Sequence, residues 1–158
     1  MICLTCSGKT FRPAMTQRRM TVGGVLFTGE TAGLQCVACG EVTVAAADAQ
    51  AFNDRVTREL VERGPASGEG LAVLRRAAGL QAQELAKLLD VSPVSVSRWE
   101  NGKSPIDRAT WVIVGALTLE QIEGGTTTRG RLRALAKKRR LRVRVPATIA
   151  ATPGAATA

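Results

Sequence analysis

The sequence predicts an α+β fold of two small domains, an N-terminal antiparallel β domain followed by an all-α bundle. Three observations predict it. Residues 10–44 are rich in β-formers interrupted by glycines, and all four cysteines fall in two C-x-x-C pairs embedded in or flanking that stretch. From Ala47 onward the apolar residues recur at helical spacing instead. Between two helical stretches, Gly64-Pro65-Ala66-Ser67-Gly68-Glu69-Gly70 collects residues that interrupt a helix. The expected organisation is a β domain at 1–46, a connecting helix at 47–63, a linker at 64–70, a helical domain at 71–125, a basic extension at 126–145 and a disordered tail at 146–158. The linker is expected to leave the two halves free to move.

The chain of 158 residues is long enough for one average domain or two small ones. Its formal net charge is +9 and its pI about 10.4, which suits a polyanionic partner. Nine of the 22 basic residues lie between Arg129 and Arg144, a segment without an acid, so the remaining 13 basic residues balance the 13 acidic ones. The excess charge is a C-terminal feature. No apolar run reaches 18 residues and no signal-peptide pattern opens the chain, so a cytoplasmic protein without a membrane span is expected.

Cys3-Leu4-Thr5-Cys6 and Cys36-Val37-Ala38-Cys39 stand 29 residues apart. This spacing matches two knuckles presenting Cys3, Cys6, Cys36 and Cys39 to one structural Zn²⁺. Gly8 and Gly40, close behind the pairs, free the backbone to turn its N–H groups towards sulfur. The chain has no histidine, which excludes mixed Cys/His sites. Disulfides or a redox C-x-x-C are the competing readings. Four thiolates leave the metal no open position, so it holds the fold together rather than activating water. Around the knuckles, turn signals at Gly23-Gly24 and Gly29 predict three or four short antiparallel strands. Such a sheet has little core, and metal binding is expected to supply on the order of 10 kcal/mol of its folding free energy. Arg12, Arg18 and Arg19 form a small basic sheet face, read as a nucleic-acid contact, a protein contact or plain solvated surface.

In the connecting helix, Ala49, Phe52, Val56 and Leu60 line one face, while Asp54 with Arg58 and Glu59 with Arg63 are spaced to pair on the other. The helical domain opens with a helix from Leu71 to Ala78, buried through Leu71, Leu74 and Ala78. The following LQAQELAKLLDVSPVSVSRWENG, Leu80 to Gly102, reads as two short helices joined by a tight turn. Leu85, Ala86, Leu88 and Leu89 form the apolar face of the first, Val96 and Trp99 that of the second. Asp90 is expected in the left-handed conformation the turn requires. Ser92 is placed to cap the second helix and Pro93 to occupy its first position. A further helix near Asp107–Leu119 carries Trp111, Val112, Val114 and Leu117, with Trp111 read as core or as a dimer contact. The second domain is thus an all-α helix-turn-helix bundle.

With Val96 and Trp99 turned inward, Val94, Ser95, Ser97 and Arg98 are left as the candidate base contacts. Arg98 is the best base reader, since a guanidinium bonds both O6 and N7 of a guanine. The alternative for Arg98 is a phosphate or solvent contact.

SRWENG, Ser97 to Gly102, with Leu85-Ala86 before it, resembles the Xre/Cro-type helix-turn-helix. The order CLTC, CVAC, connecting helix, helix-turn-helix is similar to MqsA-type antitoxins with their YgiT-type zinc finger, over about residues 1–119. The resemblance implies that Arg98 reads a base and that Val94 replaces a base-reading asparagine, leaving only apolar contact, such as to a thymine methyl. The family's Thr/Ser and phosphate-binding Gln are Gln81 and Ala82 in this chain, so Gln81 or Gln83 takes over that contact. Asn101, Lys103 and Arg108 match positions near the DNA backbone in related repressors, and Ser92 joins them as a phosphate candidate at the amino end of its helix.

Three functions compete. The first is a repressor of its own operon acting as the antitoxin of a type II toxin-antitoxin pair: the zinc domain binds a small toxin, and a helix-turn-helix homodimer binds a palindromic operator in double-stranded DNA. The second is a stand-alone regulator whose zinc domain senses metal, redox state or another protein. RGRLRALAKKRRLRVRV, Arg129 to Val145, reads as a short helix through Leu132, Leu135 and Ala136 and then a basic strip, either an arm along DNA or RNA phosphates or a solvated tail. The third function is an RNA-binding zinc-ribbon protein using that basic segment. An enzyme is not expected, because the chain lacks histidine, an open metal position and a phosphate-binding loop.

Overall fold

The computed structural model describes residues 1–64 and 67–136. Pro65 and Ala66 of the expected linker, the basic strip beyond Ala136 and the tail at 146–158 lie outside the described residues.

Two long strands dominate the first domain. β1 (Phe11–Val22) and β2 (Val25–Cys36) pair antiparallel along their full length, from Phe11 opposite Cys36 to Val22 opposite Val25. Gly23 and Gly24 both have positive φ, 57° and 80°, as a two-residue turn matching the strand twist requires. A two-residue β3 (Val42–Thr43) borders β2, giving the order β1-β2-β3. Three antiparallel strands are thus present as expected, but their lengths are not: two of twelve residues form one long hairpin, and the third has two. Gly29 is no turn; it lies inside β2, where a Cβ would sit 3.0 Å from the Phe52 ring. What the sequence presents as a turn signal is a close approach of sheet and helix.

α1 (Ala46–Arg63) lies against the sheet and buries Phe52, Val56 and Leu60. Side chains alternate across the hairpin: Val22, Phe27 and Thr31 are buried on the side of α1, while Met15, Leu26 and Leu34 are exposed on the other. Arg12 and Arg18 belong to the first face and Arg19 to the second, so they form no common basic surface. Arg12 is bound to Gln35 Oε1 at 2.8 and 3.0 Å, and Arg18 stacks 5.5 Å from the Phe52 ring centre. Glu59 and Arg63 pair as expected, at 2.9 Å. Arg58 instead reaches Glu123 at 2.8 Å, and Asp54 accepts from Gln50.

The bundle comprises α2 (Gly68–Ala77), α3 (Ala82–Leu89), α4 (Pro93–Glu100), α5 (Arg108–Glu123) and α6 (Thr127–Ala136). α2 begins three residues before the expected start because Ser67 caps it, accepting from Gly70 N at 3.1 Å. The glycine-rich run is thus partly the first turn of a helix. α5 runs on to Glu123 and stops at Gly124, φ 81°. Trp111 is 1 % exposed and donates to the Val61 carbonyl at 3.3 Å, so it is core and no dimer contact; Val112 beside it is exposed.

One cluster of buried side chains runs from Val22 and Phe27 through Phe52, Val56 and Leu60 to Leu71, Leu74, Leu85, Val96, Trp111 and Leu117. The expected freedom of the two halves is opposed by this shared core, because separating them returns its apolar surface to water. The hairpin turn is also tied down: Gly23 N donates to Glu69 Oε2 of α2 at 2.6 Å.

Candidate metal centre and nucleic-acid interface

At the far end of the hairpin the two C-x-x-C segments fold alike. Cys3 and Cys36 carbonyls accept from Ser7 N and Gly40 N, both at 2.9 Å, and Cys3 N and Cys36 N donate to Gly8 and Glu41 carbonyls. Ser7 and Gly40 both have positive φ, 61° and 79°. Gly8 therefore has another role than the one expected: a Cβ there would lie 3.0 Å from Cys36 Sγ and 3.2 Å from Cys6 Sγ. Its missing side chain makes room for sulfur.

All four Sγ atoms lie within 4.8 Å of one another, with Cys3–Cys39 and Cys6–Cys36 at 3.6 Å. All four are free thiols, and these separations far exceed a disulfide bond of about 2.05 Å. A tetrahedral thiolate site with metal–sulfur bonds of about 2.3 Å has sulfur–sulfur edges of about 3.8 Å, so the cluster is able to hold one metal ion. Backbone N–H groups of Cys6 and Thr5 lower the pKa of Cys3 to about 6. Cys39 receives the N–H of Glu41, which favours its thiolate, but crowding by Cys6, burial, Cys3 and Cys36 outweigh this and push it up to about 12. Four thiolates this close repel one another, and a dication is what removes that penalty.

The sequence-derived turn is present in detail. Asp90 ends α3 at φ 55°, ψ 43°, Ser92 Oγ accepts from Ser95 N at 3.1 Å, and Pro93 is the first residue of α4. Leu85, Ala86 and Val96 are fully buried, whereas Leu88, Leu89 and Trp99 are only partly so. Val94, Ser97 and Arg98 are exposed along α4. Ser95 is half-buried and its hydroxyl lies 2.9 Å from that of Ser92, so both serve the cap. Asn101 donates to the Ser97 carbonyl at 2.8 Å and closes the end of α4. Gln81, at the start of α3, donates its N–H to Glu84 Oε2 at 2.7 Å. Gln83, Lys103 and Arg108 are exposed.

Sequence reasoning missed what fixes α4 to the bundle. Arg75 forms a paired contact with Glu100, and Gly68 lets the amino end of α2 abut the last carbonyls of α4; a Cβ there would come 2.2 Å from the Trp99 carbonyl oxygen. These contacts join residues 25 or more positions apart, so no local periodicity announces them. Gly68, inside the glycine run at 64–70, looks the same in the sequence as a linker glycine.

No helix among the described residues is long and apolar enough to cross a membrane. Compared with known families, residues 71–114 match the helix-turn-helix family, which is characteristic of DNA-binding regulators and not of catalytic enzymes. No curated protein matches the chain. The protein therefore carries an Xre/Cro-type helix-turn-helix domain behind an N-terminal four-cysteine cluster able to chelate a metal.

Proposed function

We propose that the protein is a sequence-specific transcriptional repressor and the antitoxin of a toxin-antitoxin pair, with one structural Zn²⁺ in its N-terminal domain. The observation that carries the DNA-binding part is the helix-turn-helix at 71–114 with Val94, Ser97 and Arg98 exposed on its second helix. Zinc is the metal best suited to four thiolates at tetrahedral separations in a chain without histidine. Held by Cys3, Cys6, Cys36 and Cys39, it closes the base of the hairpin and leaves no site for water.

A partner role for the hairpin is supported by its outer face. Met15 and Leu34 are exposed on the sheet, and Ile2, Leu4 and Val37 around the knuckles are exposed too. An apolar surface beside a closed metal site suits protein docking better than catalysis. The partner proposed is a small toxin, by resemblance an RNA-cleaving one, and the DNA-bound form is a homodimer on a palindromic operator. Arg98 is proposed to read a guanine, with Val94, Ser95 and Ser97 lining the same groove. Gln81, Gln83, Ser92, Asn101, Lys103 and Arg108 are proposed to meet phosphates.

A mobility-shift assay on the upstream region of the protein's own gene tests the repressor reading, with a specific band expected, and weakened with relaxed sequence preference in Arg98→Ala. Co-expression with the product of an adjacent small reading frame tests the antitoxin reading. A stable complex that relieves toxicity is expected; free separation of the two proteins overturns it.

A further inference from the structure

The hydrogen-bond phase of the hairpin leaves one long strand edge open. Val37 N donates to the Thr10 carbonyl and Cys36 N to the Glu41 carbonyl, so odd-numbered residues of β2 bond towards β1 and even-numbered ones face away from it. In β1 the even-numbered residues bond to β2, and Met15, Gln17, Arg19 and Thr21 turn their N–H and C=O groups outward. The outer edge of β2 is partly occupied, because Arg55 of α1 donates to the Glu30 carbonyl at 3.1 Å. Along β1 no hydrogen bond among the described residues reaches those four outward backbones, and their side chains are exposed. Pro13 stands in the same phase without an N–H and closes the edge towards the knuckles. An unpaired edge of this kind is a template for another strand.

We propose that β1 pairs antiparallel with β1 of a second copy, so that two hairpins form one continuous sheet about a two-fold axis at Gln17. The pairing rests on the homodimer reading above, for which it supplies the surface. With Gln17 opposite the partner's Gln17, Met15 lies opposite the partner's Arg19 and Thr21 opposite the partner's Pro13. Met15, Gln17 and Arg19 then use all their outward groups, in about six hydrogen bonds. A shift of two residues one way sets Arg18 opposite the partner's Arg18, which like charges disfavour; the other way sets Pro13 opposite the partner's Arg19, where a bond is lost inside the ladder. Glu30 stands beside Gln17 in the β1–β2 register, and Arg19 lies one pair further along the same face. Each copy thus brings an acid and a base to the axis, and one closed pairing satisfies both edges at once.

The helices leave room for it. Phe52 lies against Gly29 and Arg55 reaches Glu30, which places α1 over β2. The β2 strands of the two copies would stand three strand spacings apart, roughly 14 Å, whereas packed helices need only about 8–10 Å. Each bundle is tied to its own hairpin turn through Gly23 and Val22, so the two fall at opposite ends of the joint sheet. Val22 would stand roughly 34 Å from the partner's Val22, of the order of the 34–36 Å, about one turn of DNA, that separates the half-sites of dimeric helix-turn-helix proteins. Main-chain pairing also leaves the outer sheet face free for the other partner.

The test uses the full chain with Zn²⁺ bound, with and without the upstream duplex. Sedimentation equilibrium should show a dimer that dissociates on dilution. Hydrogen exchange followed by NMR should slow at the Met15, Gln17 and Arg19 amides, by about tenfold or more, only where the dimer is populated. Gln17→Pro removes an outward N–H from each copy and keeps every β1–β2 bond, so it should weaken self-association by about tenfold or more. Thr28→Pro, in the outward phase of β2, is the control and should leave self-association unchanged. Thermal melting establishes that both variants fold, and the exchange measurement decides alone if Gln17→Pro does not.

A dimer whose Met15, Gln17 and Arg19 amides exchange as fast as in the monomer overturns the edge pairing and leaves the homodimer reading intact. A folded Gln17→Pro that dimerises as tightly as the full chain does the same. Slowing of those amides only when a co-expressed small protein is added assigns the edge to a strand of that protein, and also overturns the pairing. A monomer at every concentration, free and on the duplex, overturns both readings.

Discussion

Arg75 and Glu100 bind each other through two hydrogen bonds, Nε to Oε1 at 2.6 Å and Nη2 to Oε2 at 3.1 Å, while Arg75 Nη1 donates to the Leu80 carbonyl at 2.8 Å. The side chains are only 12 and 16 % exposed. One arginine thus joins the last turn of α2, the loop before α3 and the last residue of α4. Those are the parts whose relative placement decides where Arg98 points. Removing one partner of a mostly buried pair strands the other charge, so Glu100→Ala should destabilise the protein by about 3 kcal/mol. Urea unfolding should show a lower midpoint with an unchanged slope. Arg75→Met combined with Glu100→Leu should recover most of that stability, because neither charge is then left unpaired. Equal losses in the single and double variants would refute the pairing.

Gly68 supplies a second constraint on the same helix. The amino end of α2 meets the carboxyl end of α4 with no room for a Cβ, since the Trp99 and Glu100 carbonyl oxygens would lie 2.2 and 2.5 Å from it. Backbone atoms cannot swing aside as a side chain can. Gly68→Ala should therefore cost about 1–3 kcal/mol, as overpacking does. DNA affinity should fall with it, because α4 must shift. Gly64→Ala would be a poor control, as Gly64 has φ 86°; Gly130→Ala, with open space around its Cβ and α6 helical geometry, should be neutral or slightly stabilising.

The contrast between these two findings and the metal site explains what was legible in the sequence. Cys3, Cys6, Cys36 and Cys39 are readable because ligand spacing is a local constraint within each pair. Asp90, Ser92 and Pro93 are readable because a tight turn selects its residues one position at a time. Gly29 and Gly68 mislead, since a glycine required by a neighbouring element looks the same as one required by a turn. Arg75–Glu100 and Gly23–Glu69 have no local signal at all, because both depend on how distant segments pack. Asp54 likewise carries the spacing for a pair with Arg58, but Arg58 finds Glu123 on α5.

Metal removal should act on one end of the molecule first. The hairpin is about 37 Å long, with the thiols at its open end and Val22 at its turn, packed in the common core. A strong chelator should therefore release one equivalent of metal and disorder the knuckles and the adjacent strand ends, while Val22 and Phe27 stay packed. The readout is four thiols newly reactive towards a disulfide reagent, with most helical ellipticity retained. Full loss of helix on chelation would mean that the bundle depends on the metal too.

Asp107 caps α5 and should make the protein acid-sensitive. Its carboxylate accepts from the Thr110 hydroxyl at 2.6 Å and the Thr110 N–H at 2.8 Å, which hold its pKa below the ordinary carboxylate value, the hydroxyl most of all. A carboxyl group whose folded pKa is lowered stabilises the fold above its unfolded pKa and loses that contribution as pH falls through the folded value. Asp107→Ala should thus cost about 1 kcal/mol at neutral pH. The difference between the two proteins should shrink below about pH 4 and vanish once the native carboxyl is protonated. A constant difference from pH 7 to pH 2 would show that the cap does not depend on charge.

Val94 offers the sharpest separation of DNA reading from folding. It is 58 % exposed, one position inside the amino end of α4, and on the same exposed side of the helix as Ser97 and Arg98. Val94→Asn should therefore change stability by no more than about 0.5 kcal/mol, as surface substitutions do. Its effect on binding should be larger. Valine meets a base edge only through apolar contact, such as to a thymine methyl, whereas an asparagine amide pairs with N6 and N7 of adenine. Binding to a library of duplex variants should shift towards adenine at the base pair Val94 faces, by about 1–3 kcal/mol, or roughly fivefold to 150-fold. Arg98→Ala should relax the preference at a different position. If Val94→Asn leaves the selected sequences unchanged while binding persists, α4 does not present this face to the groove, and the base contacts assigned to it fall together.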